Sequence, residues 1–185
     1  MVIGIDEVGR GSLAGPLVVG CVSLNKTNYI FKDSKLLSPK KRILEYRRVL
    51  EYSKFWNIGY VWPDEIDKFG LTLAIKIAIN RALQNLDVSR HQILIDGNIN
   101  FLGLSNVSTI IGGDKLNQNI GAASILAKVS RDRLMEDYHL LFSNYSFLKN
   151  KGYGTKEHFR ALSCYGVSPI HRLLFLKNLK TVSKS

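Results

Sequence analysis

The stretch MVIGIDEVGRG, residues 1–11, begins with an apolar run that is typical of a buried β-strand. The run ends at two adjacent carboxylates, Asp6 and Glu7, which repel each other unless a cation lies between them. A glycine-flanked arginine, Arg10, follows directly. The sequence therefore predicts a divalent-metal site beside an anion site at the end of the first strand.

The rest of the chain alternates between strand and helix patterns. Beyond residues 2–5, apolar runs rich in Val, Ile and aromatic residues predict strands at 17–24, 55–61, 93–95 and 108–111. Helical spacing predicts helices at 39–52, 63–86, 117–142 and 156–164, with a last segment at 172–179. Ser38 followed by Pro39 is a strong helix start. The alternation predicts an α/β fold, a mixed sheet with helices on its faces, formed by residues 1–185 as one domain.

The longest helical pattern, residues 117–142, has unusually small residues in its first half: Gly121, Ala122, Ala123, Ser124 and Ala127. Small side chains let a helix approach a sheet closely. We therefore expect this helix to pack directly on the sheet.

The charge balance is strongly basic. The 185 residues carry a net charge of +11, with a pI of about 9.7. Residues 144–185 contain eight Lys or Arg side chains and one acid, Glu157, so this region carries +7 of the +11. The excess favours a polyanionic partner, and 144–185 is predicted to be a basic substrate-binding region. The alternative is a solvated basic surface with no specific partner.

The two cysteines, Cys21 and Cys164, do not have metal-ligand spacing. Their number and positions favour a reducing compartment over a disulfide framework. The sequence has no stretch of 18 apolar residues and no signal-like start, so a cytoplasmic protein without a membrane segment is expected.

Three aspartates end or closely follow predicted strands: Asp6, Asp96 and Asp114. Ligand sites of open α/β sheets lie outside strand ends, so with Glu7 four carboxylates are predicted to meet in one cleft. Such oxygen ligands suit Mg²⁺ or Mn²⁺ better than zinc. The alternative is that each aspartate only begins a turn, as Asp-Gly pairs often do.

The segment from Gly9 to Ala14 also matches the dinucleotide fingerprint G-x-G-x-x-A. That fingerprint requires a helix to begin within it, whereas Pro16 and a strand pattern follow here. We therefore interpret the glycines as leaving backbone N–H groups, and Arg10, free to approach a sugar-phosphate.

Six blocks of the sequence resemble bacterial ribonuclease HII, in the order of that family and over nearly the whole chain. They are GIDEVGRG with LAGP (4–11 and 13–16), DSKLLS (33–38), LIDGN (94–98), AASILAKVSRDR (122–133), GYGTKEH (152–158) and HR (171–172). No single block is unique to the family, but the set is highly specific.

The resemblance implies a ribonuclease H-like fold, with a mixed five-stranded sheet flanked by helices and a helical C-terminal extension. It implies that two Mg²⁺ or Mn²⁺ ions are held by four catalytic carboxylates: Asp6, Glu7, Asp96 and Asp114. It assigns nucleic-acid contacts to Gly9, Arg10, Gly11, Ser34, Lys35, Tyr153 and Arg172.

The activity implied is that of a monomeric endoribonuclease. It hydrolyses the RNA strand of RNA:DNA hybrids and cuts 5′ of ribonucleotides embedded in duplex DNA. We hypothesise a two-metal mechanism that leaves a 5′-phosphate and a 3′-hydroxyl. A ribonuclease HIII type and a non-catalytic basic nucleic-acid-binding module are the alternatives.

Three positions depart from the family pattern: Ser12, Gly154 and Gly112-Gly113 before Asp114. We expect the departures to loosen two substrate loops without removing a catalytic residue. Asp132, between two arginines, is expected to form a structural ion pair. For His158 and His171, a structural role is favoured over contact with phosphate.

Overall fold

The computed structural model describes residues 1–26, 29–31 and 37–177, and a five-stranded mixed sheet forms its centre. The strands are β1 (Val2–Val8), β2 (Leu17–Leu24), β3 (Ser53–Val61), β4 (Gln92–Asp96) and β5 (Val107–Ile110). They lie in the order β3-β2-β1-β4-β5. Strand β2 is antiparallel to both of its neighbours, whereas β4 is parallel to both β1 and β5. The predicted mixed sheet of five strands is confirmed.

Eight α-helices connect or extend the strands of the described chain. They are α1 (Pro39–Tyr52), α2 (Pro63–Phe69), α3 (Leu71–Ala82), α4 (Gly113–Leu116), α5 (Gln118–Leu141), α6 (Phe147–Asn150), α7 (Lys156–Tyr165) and α8 (Leu173–Leu176). Ser38 caps α1 as predicted, because its side chain accepts a hydrogen bond from the Lys41 N–H. Gly70, with φ +74°, divides the helical region predicted at 63–86 into α2 and α3.

Helices cover both faces of the sheet. Helix α3 packs on the face that carries Ile3, Ile5 and Val19, and α5 packs on the opposite face. A Cβ atom at Gly4 would overlap the backbone of Asn119, and one at Gly20 would overlap the carbonyl of Ala123. The predicted close approach of the long helix to the sheet is therefore confirmed.

The C-terminal helices build a third apolar cluster away from the sheet. Tyr145, Phe147 and Leu162 pack there against Met135, near the end of α5, and against Ala14 in the segment between β1 and β2. This packing places the C-terminal part of the chain directly beside residues 9–16.

The strand register brings the predicted site together at the carboxyl ends of two adjacent strands. Strands β1 and β4 are parallel, with Ile5 opposite Ile95, so Asp6 and Asp96 are the next residues along two adjacent strands.

Cys21 is buried, Cys164 is exposed, and both are free thiols. Within the described ranges, no helix combines the length and apolar composition needed to cross a membrane.

Candidate active site

A cleft of about 480 Å³ lies at the carboxyl ends of β1 and β4. Its lining residues come from β1, β4, helix α5 and the segment before α7: Asp6, Glu7, Val8, Asp96, Ser124, Lys128 and Tyr153. A larger cavity of about 640 Å³, next to Met1 and Lys54, has no carboxylate among the described residues that line it. Three of the predicted carboxylates, Asp6, Glu7 and Asp96, therefore line the smaller cleft.

Asp6 is the most strongly perturbed carboxyl group of the cleft. It is 6% exposed, and its Oδ1 accepts a hydrogen bond of 2.8 Å from the Glu7 N–H. Burial raises the pKa of Asp6 to about 7, a hydrogen bond from Ser124 opposes the rise, and the charges of Glu7 and Asp96 add to it. A bound cation would offset both the cost of burying the Asp6 charge and its repulsion by Glu7 and Asp96.

Glu7 shares this environment but has a positive neighbour. Burial raises the pKa of Glu7, the charge of Arg10 lowers it, and Asp96 raises it again. The Arg10 Nη1 lies 3.6 Å from the Glu7 Oε1, and the Arg10 side chain is 53% exposed. The pair is loose, so Arg10 retains access to solvent and to an anion.

Asp96 and Asp114 are joined through the start of α4. The Gly113 N–H donates to the Asp96 Oδ1 over 2.7 Å, which ties the end of β4 to this helix. Asp114 is the next residue and is 6% exposed, but it is not among the residues that line the cleft. The structure thus brings three of the four predicted carboxylates into one cleft and places the fourth beside it.

The donor set fits a hard divalent cation, because every candidate ligand is an oxygen atom. Among the described residues, no group of three or more His, Cys, Asp or Glu side chains is arranged to hold a metal ion. Mg²⁺ is usually held by one or two carboxylates together with water and substrate phosphates. The carboxylate pairs of this cleft suit that kind of binding.

Sequence reasoning did not assign a role to Ser124 and Lys128, which line the cleft from α5. Their i, i+4 spacing continues to Asp132, and this one-sided stripe was the available signal. Asp132 forms the expected ion pairs, but with Lys128 (2.7 Å) and Arg42 (3.7 Å) rather than with its neighbours in sequence. Lys128 is therefore anchored by Asp132 while it lines the cleft.

The Gly9-Arg10-Gly11 turn presents an open backbone. Gly9 has φ +88°, which favours glycine, and a Cβ atom on exposed Gly11 would meet no atom within 4 Å. Directly behind the turn, Ser12 is fully buried, and its hydroxyl donates to the Gly9 carbonyl over 2.9 Å. The side chain of Ser12 fastens the turn from within, which argues against the expectation that Ser12 loosens this loop, and that expectation stays a prediction.

The main anchor of the turn is Arg131, a fully buried residue of α5. Its guanidinium donates four hydrogen bonds of 2.8–3.0 Å, and it lies 5.3 Å from the centre of the Tyr153 ring. The acceptors are the carbonyls of Pro16, Ala14 and Lys151 and the hydroxyl of Ser12. One side chain thus joins the segment after β1 to the segment that carries Tyr153.

The prediction that Arg172 contacts nucleic acid directly is corrected by the structure. Arg172 is fully buried, and it donates to the carbonyls of Gly15 (2.9 Å) and Arg10 (3.2 Å). Burial and the nearby charge of Arg131 lower the pKa of Arg172 to about 9. Within the described part of the chain its Nη2 has no hydrogen-bond partner. Arg172 therefore supports the Gly9–Gly11 turn from beneath.

The remaining predicted contacts fall into two groups. Tyr153 is partly buried and lines the cleft, where a substrate contact is open to it. Ser34 and Lys35 lie outside the described residues.

Known proteins resemble this chain over almost its entire length. The family model for ribonuclease HII matches residues 3–178. A ribonuclease HII of Rickettsia akari is 46% identical over 177 residues, which cover 95% of this chain and 91% of the relative.

Solved structures share the fold. The ribonuclease H2 of Pyrococcus horikoshii matches with a TM-score of 0.78 at 25% identity, over 98% of this chain and 94% of that one. A Bst-RNase HIII in complex with Mn²⁺ matches with a TM-score of 0.70 at 21% identity, over 89% and 62%. The chain therefore belongs to the ribonuclease HII family of endonucleolytic hydrolases.

Proposed function

We propose that this enzyme hydrolyses the RNA strand of RNA:DNA hybrids and cuts 5′ of ribonucleotides embedded in duplex DNA. The observation that carries the proposal is the convergence of Asp6, Glu7 and Asp96 in one cleft, a few residues from the open Gly9–Gly11 turn. Hydrolysis of the bond between the phosphorus and the 3′ oxygen leaves a 5′-phosphate and a 3′-hydroxyl. Recognition of the sugar and cleavage beside it would then depend on the end of a single strand.

The proposed cofactors are two Mg²⁺ or Mn²⁺ ions, held by Asp6, Glu7 and Asp96, with Asp114 contributing from the start of α4. Bound divalent ions supply an activated water and stabilise the charge of the leaving oxygen. Asp6 and Glu7 lie on a central strand, so their positions do not depend on a loop. The Mn²⁺ complex of the structurally similar Bst-RNase HIII supports dependence on a divalent ion.

Substrate selection requires a contact to the 2′-hydroxyl, which distinguishes RNA from DNA. The backbone around Gly11 suits this role because the space beside its Cα is open, where a Cβ atom would meet no atom within 4 Å. Arg10, more than half exposed, is placed to contact the adjacent phosphate. Tyr153 lines the same cleft, and we assign to its ring the stacking contact with the next sugar.

Exposed cations of the C-terminal region, Lys149, Lys156 and Arg160, would hold the duplex by contacts to phosphates. We propose that residues 144–185 serve this purpose within a single domain of 185 residues. The free thiols of Cys21 and Cys164 fit a reducing compartment, and we propose that the enzyme acts as a monomer in the cytoplasm.

The test uses three labelled duplexes: an RNA:DNA hybrid, a DNA duplex with one embedded ribonucleotide, and an all-DNA control of the same sequence. We expect Mg²⁺ or Mn²⁺ to be required for cleavage of the first two, with the single cut mapped to the 5′ side of the ribonucleotide. Binding without metal-dependent cleavage would favour the non-catalytic module instead. Cleavage of the all-DNA control would refute recognition of the 2′-hydroxyl.

A further inference from the structure

Two buried histidines form a direct contact in the C-terminal part of the molecule. His158, in α7, is fully buried, and His171, in the segment before α8, is 3% exposed. Their Nε2 atoms lie 3.0 Å apart, which is a hydrogen-bond distance. The rings of Tyr145 and Phe147 pack against them, so water does not compete for this contact.

The neighbouring groups define which nitrogens carry protons. The Ser168 N–H can only donate, and it lies 2.9 Å from the His171 Nδ1, so this nitrogen is the acceptor. The proton of a neutral His171 is then on Nε2 and is donated to the Nε2 of His158. The remaining proton of His158 is on Nδ1, which lies 2.9 Å from the Tyr153 carbonyl oxygen. One arrangement of two neutral rings satisfies every contact.

The energetics favour the neutral state of both rings. Burial and the proximity of His158 lower the pKa of His171 to about 4, and burial also lowers the pKa of His158. A proton added to His158 would place two N–H groups opposite each other at the shared contact, and a proton added to His171 would place its Nδ1–H opposite the Ser168 N–H. The chain of hydrogen bonds therefore exists only while both rings are neutral.

Both histidines are tied to segments that we assign to the substrate. The side chain of His158 holds the backbone of Tyr153. The backbone of His171 forms a β-bridge with Ala14, flanked by a 2.8 Å hydrogen bond from the Gly15 N–H to the Ile170 carbonyl. The histidine pair thus links the segment that continues the Gly9–Gly11 turn to the tyrosine on the other side of the cleft.

We propose that His158 is a positioning residue that fixes Tyr153 beside the Gly9–Gly11 turn, and that His171 holds His158 in the tautomer that donates to the Tyr153 carbonyl. Neither side chain touches the substrate, because both are buried behind these segments. The inference rests on the proposed contact between Tyr153 and the sugar of the substrate.

Two variants at position 158 separate the hydrogen bond of His158 with Tyr153 from its hydrogen bond with His171. In His158→Asn, the side-chain amide occupies the place of Nδ1 and can still donate to the Tyr153 carbonyl. In His158→Gln, the longer amide occupies the place of Nε2, keeps the hydrogen bond with His171 and removes the one with Tyr153. Both variants remove the ring, so their general effects on packing are similar.

We expect His158→Gln to lower kcat on a duplex with one ribonucleotide by about tenfold to a hundredfold, because it releases Tyr153. His158→Asn should retain kcat within about threefold, and KM should change little in either variant. In a Tyr153→Ala background, His158→Gln should have no further effect on kcat. Equal kcat values for the Asn and Gln variants would overturn the positioning role.

A second measurement needs no variant and no activity. Nitrogen-15 NMR of the wild-type protein at neutral pH should show both rings neutral, with the proton on Nε2 of His171 and on Nδ1 of His158. A charged ring or the opposite tautomers would overturn the proposal, even where a variant fails to fold. If Tyr153→Ala cleaves like the wild type, the proposed contact of Tyr153 fails instead, and the tautomers still test the pair.

Discussion

The cleft at the strand ends and the region beneath the Gly9–Gly11 turn both bury polar groups, but they treat them in opposite ways. In the cleft, Asp6, Glu7 and Asp96 carry like charges, and burial together with repulsion raises the pKa of Asp6 to about 7. Beneath the turn, the donors of Arg131 meet carbonyl and hydroxyl oxygens at 2.8–3.0 Å. The first region stores an unfavourable interaction, and the second has satisfied most of its hydrogen bonds.

The difference separates function from stability within a small volume. A cluster of repelling carboxylates stays in place because the sheet positions its backbone, and under the proposed function it gains favourable partners only with a cation and a phosphate. The buried network has its partners without a ligand, and it joins the segment after β1 to the segment that carries Tyr153, both of which are proposed to contact the substrate. Substitutions in the cleft should therefore change activity, and those in the network should change stability.

The largest effect is expected from Asp6→Asn, which removes one charge from the cleft. We expect cleavage of an RNA:DNA hybrid to fall to background, because the proposed metal site no longer has one of its ligands. The circular dichroism spectrum should stay unchanged, and unfolding should remain cooperative. Near-normal turnover of this variant would show that Asp6 is not required for cleavage.

Arg131→Met tests the network from the other side. We expect the free energy of unfolding to fall by about 3–5 kcal/mol, because the buried acceptors of four hydrogen bonds no longer have their donor. Arg133→Met is the matched control: it removes the same charge from the same helix, but Arg133 is exposed over the Tyr46 ring. That variant should be destabilised by at most about 1 kcal/mol in urea unfolding. Equal destabilisation would mean that the buried network has no special role.

Ser12→Ala makes a smaller change in the same network. The substitution leaves the Gly9 carbonyl and one Arg131 donor without the hydroxyl that joins them. We expect the free energy of unfolding to fall by about 1–2 kcal/mol. Exposed Ser163→Ala should change it by no more than about 0.5 kcal/mol. A Ser12→Ala variant as stable as the wild type would contradict the fastening role of the hydroxyl.

The smallest effect concerns exposed cations, which belong to neither region. Combined Gln substitutions at Lys149, Lys156 and Arg160 should reduce the salt dependence of duplex binding, with the slope falling by about 0.9 for each phosphate that is no longer neutralised. Lys76→Gln, at an exposed position of α3 outside the C-terminal region, serves as the control and should leave the slope unchanged. A slope that does not respond to the triple substitution would remove the C-terminal region from the substrate path.

The two regions also differ in how far they could be predicted from the sequence, because one depends on local patterns and the other on contacts between distant residues. Asp6, Glu7 and Asp96 were assigned correctly to one cleft because each ends a short apolar run, and this local pattern survives in a single sequence. Arg131 was missed because an arginine beside Asp132 and Arg133 has the pattern of a solvated helix face. Its burial depends on residues 12–16 and 151, which are distant in the chain.

Arg172 shows how such a network misleads prediction. A basic residue in a basic tail indicates a phosphate contact, yet the fold turns this side chain inward toward the carbonyls of Arg10 and Gly15. The histidine pair is equally invisible, since His158 and His171 are separated by 13 residues and meet only after α7 has packed. The carboxylates at the strand ends could be predicted from local sequence patterns, whereas the buried residues that support the site are positioned by tertiary contacts.

Thermal unfolding of the wild type and of Asp6→Asn, with and without Mn²⁺ above pH 7, tests whether the buried carboxylates of the cleft form a cation site. Without metal, the variant should be at least as stable as the wild type, because it relieves the repulsion among buried carboxylates. Mn²⁺ should raise the Tm of the wild type and have little effect on the variant. A metal-free variant that is less stable than the wild type, with an equal rise in Tm on adding Mn²⁺, would contradict the account.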